Sequence, residues 1–192
     1  MNLFKLSAAY LKERQTPLVR FLHITIIILV LSQIIVSNFM EFTDSGQIST
    51  KVIEFYGTWL HIITGLLIIP VAIIFLIVGL RTHGLKYYFP YLSGEFTQLN
   101  NDIRQLSKFR LPEPGDFGIA AIVQGLGFGA LFLVLLSGLI WFITWNANLS
   151  WSHNVKEIHE FFTGLIEAYI IGHGSMGILH IFLSSKSQKG SQ

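Results

Sequence analysis

Three of the seven histidines in this cysteine-free chain, His159, His173 and His180, fall in one apolar stretch, residues 155–183. Their separations are multiples of seven, so on an α-helix they share one stripe along one side. At 1.5 Å per residue, His159 and His173 stand about 21 Å apart, most of a bilayer core about 30 Å thick. Ionisable side chains are rare at such depths unless they work, and a neutral imidazole is above all a metal ligand or a proton carrier. A row of them along one helix suggests ligands stacked along the membrane normal. Without cysteine, iron–sulfur ligation, thiolate zinc sites, covalent haem attachment and disulfides are all excluded within the chain.

Elements able to position such a row are plain in the composition. The 192 residues are 52% hydrophobic and only 12% charged, with a positive mean hydropathy; soluble domains carry about a quarter charged residues. Four apolar stretches, residues 18–39, 52–80, 117–145 and 155–183, are each long enough to cross a bilayer as a helix. The expected fold is an all-α integral membrane four-helix bundle forming a single domain over residues 1–192. The first stretch, behind a charged lead-in at residues 10–17, is read as a retained span.

Lys5, Lys12, Arg14 and Arg20 precede or open the first span. Arg81, Lys86, Arg104, Lys108 and Arg110 mark the long connector, residues 81–116, and Lys186 and Lys189 the tail. The short connectors offer only Lys51 and Lys156. Excess positive charge marks the cytoplasmic side, so both termini and the long connector are expected inside. Within that connector Phe96, Leu99, Ile103 and Leu106 recur at helical spacing, which predicts a short helix on the membrane surface, stopped at Pro112-Glu113-Pro114. The polar tail, residues 184–192, is expected to be disordered.

With the spans oriented, the histidines sort by depth. His61 in the second span and His159 in the fourth fall near the outer side. His23 in the first span falls toward the inner side, with His173 or His180 opposite. Two facing pairs at two depths are what two six-coordinate haems require, each iron taking one imidazole from each of two helices. Counted from the inner helix end, His180 is about 6 Å in and His173 about 16 Å, which favours His180. His83 and His153 lie outside the spans and read as solvated. Gly65, one turn after His61, and Gly172 and Gly174 around His173 would leave room for a flat macrocycle. Ala121, Gly125 and Gly129 form a small-residue stripe in the third span that permits close helix approach.

This pattern resembles the bacterial cytochrome b561 family, which includes the b-type cytochrome subunits of nickel–iron hydrogenases. The likeness covers nearly the whole chain: Arg20-x-x-His23 in the first span, His61-x-x-x-Gly65 in the second, and His159-Glu160, His173 and His180 in the fourth. Ile24 stands where the family often has Trp. The resemblance implies two haem b groups, the inner held by His23 and His173 and the outer by His61 and His159. His180 remains the alternative to His173. It also implies respiratory-type electron transfer in the bacterial inner membrane between the quinone pool and a redox partner. The chain would be either a cytochrome subunit of a quinone-linked oxidoreductase or a stand-alone one.

Further groups could serve that chemistry. Arg20 and Arg81 are near the expected inner level and could meet haem propionates, with Lys51 and Lys156 weaker candidates outside. Glu160 and Glu167 are candidates for proton transfer during quinol oxidation; Glu167 sits mid-span, where burial favours the protonated acid. Membrane lipid, quinone and a peripheral redox protein are the expected partners, and nucleic acid is not. The alternative reading is a histidine-lined metal-ion or proton transporter without haem. It is less well supported, because such paths usually combine His with several intramembrane carboxylates and only Glu167 is central.

Overall fold

The computed structural model describes residues 3–43, 46–112 and 115–190. Its helices in chain order are α1 Leu3–Arg14, α2 Pro17–Ser37, α3 Val52–His83, α4 Leu85–Tyr88, α5 Thr97–Ser107, α6 Ile119–Asn146 and α7 Ser152–Gly190, with one 3₁₀ turn at Pro90–Ser93. Four of them, α2, α3, α6 and α7, are long and apolar enough to span a membrane. The first three match their expected spans to within three residues, and α7 begins three residues before the fourth and runs beyond it. The chain is therefore an all-α membrane helical bundle.

Local chemistry sets the helix ends. Pro17 supplies a preformed φ at the first turn of α2, and the Thr16 hydroxyl accepts from the Val19 N–H at 3.4 Å. Gly84, at φ +82°, closes α3 in a conformation that side chains disfavour. A five-residue turn with Asn148 at φ +53° joins α6 to α7, so the two pack as antiparallel neighbours. Likewise α2 packs on α3, α3 on α6, and α1 against α7. The Trp145 indole N–H donates to the Gly46 carbonyl at 2.9 Å. That bond ties the loop between α2 and α3 to the end of α6, where Phe42, Trp59, Trp141 and Trp145 cluster.

Ile26 and Val30 of α2, Ile68 and Ala72 of α3, Ala130 and Leu131 of α6 and Ile166 of α7 form the central core. Outward faces stay apolar: Phe21, Ile28, Ile35, Leu67 and Ile171 are each more than half exposed, as expected of side chains that meet lipid.

Two expectations need correcting. The tail does not leave the helical path at Leu183, since α7 continues to Gly190; no proline intervenes after residue 183 to break the backbone ladder. Ser191 and Gln192 lie outside the described residues. In the small-residue stripe, a Cβ at Gly125 would collide with the Tyr88 carbonyl of α4, whereas one at Gly129 would meet nothing within 4 Å. The close approach is thus to the connector, not along the whole third span.

The connector helix α5 forms where its periodicity indicates, with Phe96, Ile103 and Leu106 exposed. Glu113 and Pro114 of the expected stop fall outside the described residues. Its buried residue is polar: Asp102, 2% exposed, accepts from the Ile119 N–H at 2.8 Å and from the Gln98 amide at 2.7 Å. Asp102 thereby caps α6 and holds α5 at the level where that span begins. Asp102→Ala should cost about 1 kcal/mol of stability, read as a lower thermal unfolding midpoint in detergent. Asp102→Asn, which keeps an acceptor oxygen, should recover part of the loss.

Candidate functional site

The structure brings four of the seven histidines into two facing pairs. In the outer pair, His61 of α3 and His159 of α7 have ring centres 6.4 Å apart with planes at 80°. The neighbouring helix α6 fixes His159. Its Nδ1–H donates to the Val134 carbonyl at 3.0 Å, and the Ser137 hydroxyl lies 3.1 Å from the same nitrogen. Proton and tautomer are then committed at Nδ1, which leaves the Nε2 lone pair for a ligand. Room for the ring comes from Gly138, where a Cβ would stand 2.9 Å from His159 Cε1 and 3.2 Å from Nδ1. His61 Nδ1 is buried and has no hydrogen-bond partner. A ring nitrogen buried without a partner lacks a structural explanation for its cost.

Both outer histidines line a cavity of about 670 Å³, within the size range of cofactor sites. Gly65, Gly164, Gln33 and Glu167 also line it. The Gln33 amide donates to the Thr64 hydroxyl, joining α2 to α3 beside His61. Lys156 and Glu160 complete the outer edge, their charges 2.8 Å apart, with the Lys156 ammonium 5.7 Å from the Phe42 ring centre. Lys51 is instead held by Glu41 and Glu54, each at 3.1 Å, and these hydrogen bonds, Glu54's first, raise its pKa.

The inner pair is His23 of α2 and His173 of α7, ring centres 6.3 Å apart and planes at 67°. Each ring is backed by an aromatic side chain. Phe75 stacks on His23 at 5.9 Å, and Tyr169 on His173 at 5.2 Å. Tyr169 is seated against Gly127, where a Cβ would collide with its ring. A Cβ at Gly172 or Gly174, beside His173, would meet nothing within 4 Å. His173 is the residue whose ring faces His23; His180 lies seven residues further along α7. Half-buried Arg20 stands three residues before His23, and exposed Arg81 is near the inner end of α3. Among the described residues no three His, Cys, Asp or Glu side chains gather as a metal-ion site.

The family model for prokaryotic cytochrome b561 matches residues 14–189. The chain belongs to the prokaryotic cytochrome b561 family. No significant match is found among curated proteins or among solved structures. The protein is thus a multi-pass membrane b-type cytochrome that binds haem b and transfers electrons.

Several supporting residues of this cytochrome escape a sequence reading. Gly138 sits in the span without histidine, and Val134 acts through its backbone. Ser137, Phe75 and Tyr169 carry no motif. The one local hint is a Ser-Gly pair in an otherwise large-residue stretch of α6. In a helix interior Gly→Ala normally stabilises by about 1 kcal/mol. Gly138→Ala should instead lower haem content per chain, measured by the pyridine haemochrome assay, because the new methyl displaces His159. Gly129→Ala, with open space around it, should leave haem content unchanged.

Proposed function

We propose that this cytochrome holds two haem b groups, the outer between His61 and His159 and the inner between His23 and His173, and exchanges electrons between the quinone pool and a peripheral redox protein. The observation that carries the reading is the spacing of the paired rings. An imidazole bond to a first-row metal is about 2 Å long. A five-membered ring with bonds of about 1.33 Å has its corners about 1.1 Å from its centre. Two imidazoles binding one metal from opposite sides therefore have centres about 6.2 Å apart. The pairs measure 6.3 and 6.4 Å. A direct N–H···N hydrogen bond of about 2.9 Å would draw the centres to about 5.1 Å, well short of either.

Bound haem supplies reversible one-electron chemistry at iron. The chain's own residues do the rest. The Val134 carbonyl keeps the proton of His159 on Nδ1, Gly138 and Gly65 leave space beside the outer rings, and Phe75 and Tyr169 wall the inner ones. Arg20 and Arg81 are the proposed partners of inner propionates. Quinol oxidation releases protons as well as electrons, and Glu160 and Glu167, both on the outer cavity, are the proposed acceptors. Glu160 is exposed and paired with Lys156, suited to passing a proton to water, while half-buried Glu167 lies seven residues deeper along α7. The lysine and arginine distribution supports cytoplasmic termini. Moving one electron across much of the membrane is then worth up to about 2.3 kcal/mol per 100 mV.

Haem counting with reduced-minus-oxidised spectra tests the assignment. The unaltered protein should carry two haems per chain. Ala at His23 or His173 should remove the inner one, and Ala at His61 or His159 the outer one. His180→Ala should keep both. One haem in the unaltered protein, or loss of a haem with His180→Ala, would refute it.

A further inference from the structure

We infer that Gln15, in the turn between α1 and α2, is a positioning residue for the inner haem, fixing the His23 ring and tuning its strength as a ligand. The inference rests on the proposed ligation of iron by His23.

Two observations carry it. The Gln15 amide reaches His23 Nδ1 across eight residues, at 3.3 Å. The other end of the same amide is buried without a hydrogen-bond partner. Gln15 is held there by its surroundings: its N–H donates to the Leu11 carbonyl at 2.9 Å, continuing the winding of α1, and α1 packs on both α7 and α2. Just after it, Thr16 and Pro17 fix the start of α2. The amide is thus delivered to the ring by an element outside the four spans.

The chemistry of the contact follows from ligation. A His23 that gives its Nε2 lone pair to a metal carries its proton on Nδ1, and only an acceptor can meet that proton. Amide oxygen and nitrogen exchange places by a half-turn, so ligation selects the orientation with Oε1 on Nδ1–H. Gln15 then does for His23 what the Val134 carbonyl does for His159. An acceptor on Nδ1–H holds the ring orientation and pushes electron density toward the metal-bound nitrogen. That density favours ferric over ferrous iron and lowers the reduction potential. The two pairs therefore differ in kind: a backbone carbonyl of α6 serves the outer one, and a replaceable side chain serves the inner one.

Redox titration of the purified full-length protein, with electron paramagnetic resonance of the ferric signals, tests this. Gln15→Leu should keep both haems and raise one midpoint only, by about tenfold in the ferrous-to-ferric ratio, or about 59 mV for a one-electron couple. Gln15→Asn, too short by one methylene to reach the ring, should behave like Leu. Gln15→Glu, which restores reach with a stronger acceptor, should bring that midpoint to or below its original value. Unchanged midpoints in all three variants, or equal shifts of both haems, would overturn the inference. His23→Ala separates the two levels of argument. If it removes one haem while the Gln15 variants do nothing, the ligation stands and only the role of Gln15 falls. If it removes none, both fall.

Discussion

Two imidazoles facing one another across a little over 6 Å of membrane interior are the constraint that the rest of the bundle serves. They are too far apart to satisfy each other by a hydrogen bond, and the bilayer offers no water to do it for them. The proposed haems would lie between them, and on the far side of His159 the Val134 carbonyl holds the ring nitrogen. The helices divide this work. The antiparallel hairpin of α2 and α3 offers one histidine from each helix, His23 near one end of the bundle and His61 near the other. α7 runs past both levels and offers one at each. The remaining span, α6, has no histidine, and its part is to supply the Val134 carbonyl, the Ser137 hydroxyl and the gap at Gly138 behind His159. A helix that looks chemically silent is the one that fixes the outer ring.

Between the two levels the bundle closes on itself. Ile166 lies seven residues from His159 and seven from His173, and it belongs to the central core with Ile26, Val30, Ile68, Ala72, Ala130 and Leu131. All four spans contribute to this layer, so it is where side chains pack on side chains. Above and below it, residues with little or no side chain line the histidine levels. Gly65 and Gly164 line the cavity beside His61 and His159, and Gly172 and Gly174 flank His173. The layer keeps an apolar medium between the two proposed irons, which strengthens electrostatic coupling between charges at the two levels. Glu167, next in sequence to Ile166, opens onto the outer side of that layer.

The spans were legible because hydropathy over twenty residues is a strong signal, and the pairing of His61 with His159 because depth follows from helical rise; depth pointed to His180 for the other pair, and His173 came from the family resemblance. The supporting contacts were not. Gln15 and His23 are separated by Pro17, which ends one helical pattern and starts another, so no periodicity joins them. Gly125 and Gly129 look alike in sequence, yet only Gly125 meets another backbone, because α4 crosses α6 at that turn. Asp102 reads as one polar residue among several on an amphipathic helix, and its burial arises only from the position of the Ile119 N–H seventeen residues later. Such contacts are set by how elements dock, which local pattern does not contain.

The choice between His173 and His180 shows the same limit at a single residue. Counting inward from residue 183 favoured His180, on the assumption that α7 stops where the bilayer stops. It does not: α7 continues to Gly190, so its inner end is no marker of depth. The outer ends are the sound reference. There the turn between α6 and α7 is short, and Trp145 pins the loop that follows α2 through the Gly46 carbonyl. Counted from that side, His23 lies about 21 Å before the end of α2, while His173 lies about 31 Å and His180 about 42 Å into α7. The mismatch with His173 is about 10 Å, part of which tilt absorbs, and that with His180 is twice as large. Both outer histidines, counted in the same way, fall within about 3 Å of each other. Register in this bundle is therefore set from the end where aromatic packing and a backbone hydrogen bond hold the helices together, and the far end of α7 overruns without moving the facing histidines.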